Sequence, residues 1–245
     1  AVGSLPSDYK SVASLFGFKG NIEEGLKMIR KAYYYSLADP KLKFHRDYFG
    51  FVYAYVNYEL ETEEQVSLYT LGMDVDASSF FSYLEAQQKL RSGEAGEALK
   101  LLQNRPSSEE YLEVPFFEYY TGKVALMIKP EEAYKHLHLF LKTAKDEEHR
   151  KSAYRYLAWY HLLNGQKAEA EAYRQKIMQE PETLTGSDKQ ALDEANRGFN
   201  LALIKARLDF DAGRYARIVE NLKPEGVEDC CRKNWERQEY HYRRA

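Results

Sequence analysis

The sequence predicts an all-α fold built from stacked antiparallel helical hairpins. Ala, Leu, Glu, Lys and Arg recur throughout, with only 7 prolines and 14 glycines in 245 residues, and these residue types favour helices. Turn signals recur at intervals close to 36 residues, and a small residue lies seven positions before every turn. These observations predict a single repeat-built domain that spans residues 1–245.

The first hairpin is predicted from the stretch "FGFKGNIEEGLKMIRKA", which runs from Phe16 to Ala32. Gly20 is expected to end one helix, because a glycine after a helix can take the left-handed conformation. Gly25 is expected to let the second helix approach the first. The same pattern returns in "SGEAGEALKLL" at Ser92 and in "NGQKAEAEAYRQKIM" at Asn164.

Six turns between helices follow from glycine, proline and polar signals. Their positions are Gly20, the "LETEE" segment near Glu61, Gly93, Lys129 before Pro130, Gly165 and Gly213. The residues seven positions earlier are all small: Ala13, Ala54, Ala86, Gly122, Ala158 and Ala206. A small side chain is needed where two helices cross closely, so this column predicts the crossing point of each hairpin.

The last third of the chain departs from this spacing. The segment "ETLTGSDKQALDEANRG" between Gly165 and Gly213 is polar and predicts a long loop or a helix extension, with Ser187 as a helix cap. Asn200 is expected on an exposed helix edge. A final helix from about Asp229 is expected to cover the last apolar face, with Trp235 and Tyr242 packed against the preceding hairpin.

Composition and charge exclude several classes of protein. The formal charge of −3 gives no overall attraction to nucleic acid or to an anionic membrane, and no segment approaches the roughly 20 apolar residues of a membrane span. Cys230 and Cys231 are adjacent, so they cannot cross-link distant parts of the fold, and one buried and one exposed thiol are expected. The first residue is Ala, which leaves cytoplasmic and exported locations open.

Sequence patterns of catalytic sites are absent, and no cofactor or metal is predicted. There is no nucleophile elbow, no metalloprotease helix and no phosphate-binding loop. His136 and His138 are two residues apart, so on a helix they point to different faces and cannot share a metal. Glu147, Glu148 and His149 are expected to form the solvated first turn of a helix. The basic and aromatic C-terminal helix is expected to pack on the protein rather than bind nucleic acid.

The best repeat unit resembles the tetratricopeptide repeat family. It runs from His149 to Pro181 and places Tyr154, Leu157, Ala158, His161 and Ala170 near the consensus positions. "GFKGNIEEGL" is also similar to the first repeat of the tetratricopeptide-repeat protein 39 group. The resemblance implies a right-handed superhelix, an α-solenoid of about six hairpins and a C-terminal helix.

The family lines a concave groove with the first helices of successive hairpins, and this implies a binding surface in the chain. The two rows carried over by position are rich in aromatic and cationic residues, which are enriched where proteins bind partners. The expected anchors are Arg155 and Trp159, one helical turn apart, with Lys123 and Arg207 in the flanking repeats. The other expected site residues are Tyr119, Tyr83, Phe51 and Tyr55, of which Phe51 and Tyr55 fit a core role equally well.

These expectations describe a non-enzymatic scaffold that binds a protein or peptide in its groove. The second row contains no Asn, so the family's clamp for acidic peptide termini is not expected. The alternative is a receptor for a small ligand, for example a glycan, on stacking tyrosines. An enzyme accessory or an unrecognised catalyst is a third possibility.

Overall fold

The computed structural model describes residues 21–60, 66–107, 113–145, 148–181 and 185–244. All regular secondary structure in these ranges is helical, which confirms the predicted all-α class. No helix in the described ranges combines the length and the apolar character needed to cross a bilayer. The chain divides into two compact units, the N-terminal unit Ala1–Glu85 and the C-terminal unit Ala86–Ala245.

Two long helices, α1 (Ile22–Ala38) and α2 (Arg46–Glu59), pack on each other in the N-terminal unit. Asn21 caps α1, because its side chain accepts hydrogen bonds from the first backbone N–H groups of the helix. Tyr33 and Tyr53 stack in the core with their ring centroids 6.4 Å apart. Short 3₁₀ turns at Lys43–His45 and Val75–Ala77 precede α2 and α3 (Ser79–Arg91), and the boundary between the units falls within α3.

The helix that Gly25 was expected to approach, predicted to end at Gly20, lies outside the described residues, so this expectation stays a prediction. Among the described residues, a Cβ atom built on Gly25 would meet nothing within 4 Å. The tightest glycine contact described in this unit is at Gly50 in α2, where a Cβ atom would lie 2.6 Å from the Sδ atom of Met73.

The C-terminal unit contains the end of α3 and ten further helices in its described ranges. They are α4 (Ala95–Gln103), α5 (Pro115–Ile128), α6 (Pro130–Thr143), α7 (Arg150–Leu163), α8 (Lys167–Gln179), α9 (Gly186–Arg197), α10 (Leu201–Asp211), α11 (Tyr215–Asn221), α12 (Val227–Cys230) and α13 (Asn234–Arg244). Three hairpins pair α5 with α6, α7 with α8, and α10 with α11. The first helices of these hairpins, α5, α7 and α10, also contact one another.

The predicted turns in this unit are confirmed. Gly93, Gly165 and Gly213 lie between consecutive helices with φ angles of 77°, 75° and 74°, a left-handed conformation that a glycine takes without strain. Lys129 is the single residue between α5 and α6, and Pro130 begins α6. The turn near Glu61 lies outside the described residues.

The column of small residues is buried wherever it is described. Ala54, Ala86, Ala158 and Ala206 are all in the core, and Gly122 lies in the buried face of α5. A Cβ atom on Gly122 would lie 2.7 Å from Cγ and 3.2 Å from the backbone nitrogen of Leu137 in α6. The column therefore marks close helix packing, as the sequence predicts.

We expect Gly122→Ala to destabilise the protein by about 1–3 kcal/mol, because the added methyl group overpacks the contact between α5 and α6. Gly96→Ala in α4 is the matched control. In the part of the chain that the structure describes, a Cβ atom at Gly96 meets nothing within 4 Å, so the better helix propensity of alanine should stabilise the protein by up to about 1 kcal/mol. Urea unfolding of both variants measures the difference, and effects of the same sign would contradict the proposed close contact.

The polar segment between Gly165 and Gly213 forms a separate helix, α9, instead of a long loop or an extension of α8. Thr185 is its N-cap and accepts a hydrogen bond from the backbone N–H of Asp188, so the expected cap at Ser187 is wrong. Asn200 caps α10 by accepting from Ala202 and Leu203, so it does not lie on an exposed helix edge. Two short polar residues therefore mark two helix starts. Thr185 caps the beginning of α9, and Asn200, which follows α9, caps the beginning of α10.

The C-terminal helix α13 packs against α10 and α11, as the expected cap would. Tyr240 is buried in a cluster with Leu203 and Ile218, and Trp235 packs against the same cluster. Tyr242 is 64% exposed, so its expected packing is wrong. The two thiols differ as expected, since Cys231 is buried and Cys230 is half-buried. Burial raises the pKa of the Cys231 thiol to about 12, which keeps it protonated.

Candidate functional site

The middle of α7 carries polar and aromatic side chains into the interior of the C-terminal unit. Arg155 and Trp159 are one helical turn apart, and they are 1% and 2% exposed. The Arg155 guanidinium lies over two aromatic rings, 4.8 Å from the centroid of Tyr156 and 5.2 Å from that of Trp159. Cation–π contacts of this kind partly replace the water that a buried guanidinium loses.

A carboxylate from α9 neutralises this group. Glu194 accepts hydrogen bonds from Arg155 at 3.2 Å and from Arg207 of α10 at 2.7 Å. The Arg207 guanidinium also lies 5.4 Å from the centre of the Trp159 ring. Glu194 therefore joins α7, α9 and α10, and it balances one of the two positive charges it bridges.

Burial and the nearby positive charges shift the pKa values of the tyrosine hydroxyls in this cluster. Burial alone would raise the pKa of the Tyr156 hydroxyl, but Arg155, Lys123 and Arg207 together hold that pKa below its ordinary value. Burial raises the pKa of Tyr119, whose ring lies 6.1 Å from that of Tyr156. Arg155 also lowers the pKa of Tyr119, but burial outweighs its effect there.

A pocket of about 160 Å³ opens beside the cluster, between α7, α9, α10 and α13. We call it the tryptophan pocket, because both tryptophans of the chain, Trp159 and Trp235, line it. Its other lining residues are Gln190, Glu194, Arg197, Gly198, Phe199, Asn200, Leu203, Ile204, Arg207, Glu239 and Arg243. Its walls combine aromatic and aliphatic surface with three arginines and two glutamates.

The buried indole N–H of Trp159 has no hydrogen-bond acceptor among the described residues, although Trp159 lines the pocket. A buried donor without a partner costs about 1–3 kcal/mol. Arg207 and Arg243 already hold Glu194 and Glu239, at 2.7 and 2.8 Å. The unmet hydrogen-bonding capacity near the pocket thus includes this indole.

The structure brings together five of the eight site residues predicted from the sequence. The buried cluster contains four of them: Tyr119, Arg155, Trp159 and Arg207. Lys123 of α5 lies beside the cluster, with its ammonium group 5.2 Å from the ring centroid of Tyr120, and it helps to lower the pKa of Tyr156. Phe51 and Tyr55 of α2 stack on each other at 6.0 Å in the N-terminal unit, where Tyr55 is 42% exposed. Tyr83 of α3 is half-buried in the same unit.

The predicted open groove is not observed at Arg155, Trp159 and Tyr119, because all three are buried. Helix α9 packs on α7 and supplies Glu194 to Arg155, and its Asp188 accepts from the backbone N–H of Ser152 at 2.7 Å. A partner therefore cannot contact these three residues across an open surface. Of the predicted site residues, Trp159 and Arg207 line the tryptophan pocket.

Several residues of the site are not predicted from the sequence. Glu194 lies in a segment whose polar composition predicts a loop, and Trp235 and Arg243 lie on a helix assigned only a capping role. The charged residues of "DEANRG" do not by themselves indicate that Glu194 forms a buried ion pair. A periodicity test on residues 186–197 would have shown the buried stripe of Asp188, Ala191 and Ala195.

The histidines do not assemble a metal site. His136 contacts Glu118 at 2.7 Å, whereas His138 faces Tyr173 at 3.0 Å, so the two point apart as predicted. In the described ranges no group of three or more His, Cys, Asp or Glu side chains could hold a metal ion. His149 is not in a solvated first turn: it precedes α7 with a φ of 62° and stacks on Tyr119 at 4.8 Å.

Comparison of the chain with protein-family models, with curated proteins and with solved structures finds no match.

Proposed function

We propose that this protein is a non-enzymatic scaffold of the tetratricopeptide-repeat type that binds a peptide segment of a partner protein. The tryptophan pocket accepts one apolar or aromatic side chain of that segment. The observation that supports this most directly is the convergence of Trp159, Trp235 and three arginines on one pocket of about 160 Å³.

The size of the pocket matches a single anchoring side chain. An engineered cavity of about 150 Å³ in another protein holds one benzene molecule, so a phenyl or isobutyl group fits the volume here. Tryptophan and arginine are the residues that most often dominate binding energy at protein interfaces. The third lining arginine, Arg197, is 51% exposed and has only a 3.8 Å contact with Asp193 among the described residues, so it favours an acidic residue beside the anchor.

The chain offers an internal probe for this proposal. It contains only two tryptophans, and both line the pocket, so tryptophan emission reports on this site alone. Peptides selected from a random 12-residue library without tryptophan are titrated into the protein. We expect saturable binding accompanied by a change in tryptophan emission.

Trp235→Ala removes one wall of the pocket while leaving the buried cluster of Arg155 intact. We expect this variant to weaken peptide binding about 30-fold, the equivalent of about 2 kcal/mol for a truncated anchor. Tyr242→Ala is the matched control, because it removes an exposed aromatic ring from the same helix. Peptides that bind without changing the emission, or that bind Trp235→Ala as tightly as the parent, would refute the pocket as the peptide site.

A small-ligand receptor is the second candidate, and one feature of the N-terminal unit favours it. Phe51 stacks on Tyr55 at 6.0 Å and on Phe81 at 5.9 Å, which forms a short row of aromatic rings. Such rings are platforms for the apolar faces of sugars. Binding of oligosaccharides that Tyr55→Ala abolishes, with tryptophan emission unchanged, would support this candidate over the peptide scaffold.

A further inference from the structure

The C-terminal unit contains a second, larger concavity that the proposed peptide site does not use. It has a volume of about 820 Å³ and lies along α10 and α11, closed on the other side by the ends of α5 and α7. We call it the α10–α11 groove. Ten of its fifteen lining residues are apolar, among them Met127, Ile128, Leu163, Leu201 and Leu208.

The polar side chains of the groove carry an excess of positive charge. Lys205, Arg214 and Arg217 face a single carboxylate, Asp209. Asp209 lies 2.8 Å from Nε of Arg214 and 3.8 Å from Arg217, and Arg214 also donates to the backbone carbonyl of Met127 at 2.7 Å. Arg214 is therefore engaged by the protein, whereas Arg217 is 60% exposed, and its one ion-pair contact within the described residues is the longer one to Asp209.

Lys205 has no ion-pair partner among the described residues, and it is exposed at the middle of α10. Leu201, Lys205 and Leu208 occupy positions i, i+4 and i+7 of α10, a spacing that places all three on one face of the helix. The groove thus presents two available cations above an apolar floor. Its complement is a ligand with an apolar body and a negative charge.

Helix α10 separates this groove from the tryptophan pocket. Leu203 and Arg207 line the tryptophan pocket, whereas Leu201, Lys205 and Leu208 line the groove. Neither tryptophan lines the groove. The two sites can therefore be tested independently, one with and one without a change in tryptophan emission.

We propose that the α10–α11 groove binds an anionic amphiphile, with its aliphatic chain on the apolar floor and its headgroup between Lys205 and Arg217. Sites for small molecules are typically clefts of about 300–1,000 Å³ with mostly apolar walls and a few placed polar groups, and this groove has that size and composition. Two available cations beside a mostly apolar lining match a ligand that joins an aliphatic chain to a negatively charged headgroup.

The test uses calorimetric titration with decanoate below its micelle concentration and with decanol, which has the same chain and no charge. We expect decanoate to bind saturably with one site per chain. We expect the affinity of decanol to be at least about tenfold lower. The double variant Lys205→Gln/Arg217→Gln should weaken decanoate about tenfold and leave decanol unchanged. Tryptophan emission should not change on binding.

Lys135→Gln/Lys189→Gln is the matched control, since it removes two exposed lysines that do not line the groove. Equal loss of decanoate binding in this control would mean that net charge, not the groove, attracts the ligand, and would overturn the proposal. So would the absence of saturable decanoate binding, or unchanged binding by Lys205→Gln/Arg217→Gln. Saturable binding of an acidic amphipathic peptide without any binding of decanoate would assign the groove to a polypeptide instead.

Discussion

Gly213→Ala is expected to destabilise the C-terminal unit by about 2–5 kcal/mol. A Cβ atom on Gly213 would lie 2.4 Å from the Cα atom and 2.6 Å from the carbonyl oxygen of Gly93. Backbone atoms cannot move aside as a side chain can, so the overpacking cost of about 1–3 kcal/mol adds to the cost of about 1–2 kcal/mol for alanine in the left-handed conformation. Urea unfolding followed by tryptophan emission measures this, because both tryptophans lie in the C-terminal unit.

Gly165→Ala provides a control with the same backbone geometry. Its φ of 75° matches the 74° of Gly213, and both glycines follow the first helix of a hairpin. A Cβ atom on Gly165, however, meets no atom of the described residues within 4 Å. This variant should cost only about 1–2 kcal/mol. Equal losses in the two variants would show that the α3–α4 and α10–α11 turns do not touch in solution.

Glu194→Gln is expected to cost about 3–5 kcal/mol, because it removes the only carboxylate that Arg155 contacts among the described residues. The substitution keeps the size of the side chain, so it isolates the charge from the packing. Arg155 would remain buried with the Tyr156 hydroxyl, at 3.1 Å, as its hydrogen-bond partner. The melting temperature should fall by about 6–20 °C, at about 2–4 °C for each kcal/mol in a chain of this size.

Glu171→Gln is the matched control for this substitution. Glu171 also pairs with an arginine, Arg174, at 2.7 Å, but its side chain is 52% exposed, so its loss should cost no more than about 1 kcal/mol. Arg155→Met combined with Glu194→Leu should recover much of the stability lost in Glu194→Gln, because a buried ion pair can often be replaced by apolar side chains. A Glu194→Gln variant as stable as Glu171→Gln would contradict a buried ion pair at this position.

The sequence by itself was enough to predict the helical class, the turns at Gly93, Lys129, Gly165 and Gly213, and the buried small-residue column. These features depend on local properties of the chain. A positive φ favours glycine wherever it occurs, and a close helix crossing excludes a large side chain at the crossing point. Both signals survive in a single sequence because each depends on one residue and its near neighbours.

The composition of the candidate site was also visible in the sequence, since Arg155, Trp159 and Arg207 were expected to lie together. Their exposure was not predictable, because it depends on α9. The sequence of α9 is mostly polar, and its buried stripe consists of Asp188, Ala191 and Ala195. With so few apolar residues, its composition resembles that of a loop. Its position over α7 decides that Arg155 is an internal ion pair and that only the edge of the cluster opens as a pocket.

Two further features were decided only by the tertiary structure. The contact of Gly93 with Gly213 joins turns 120 residues apart, and it depends on how the packing angles of the intervening helices add up. The tryptophan pocket and the α10–α11 groove lie on opposite faces of one helix, and their walls come from helices far apart in the chain. Local propensity decides where helices begin and end, but the sum of many small packing angles decides which of their faces meet and which cavities remain between them.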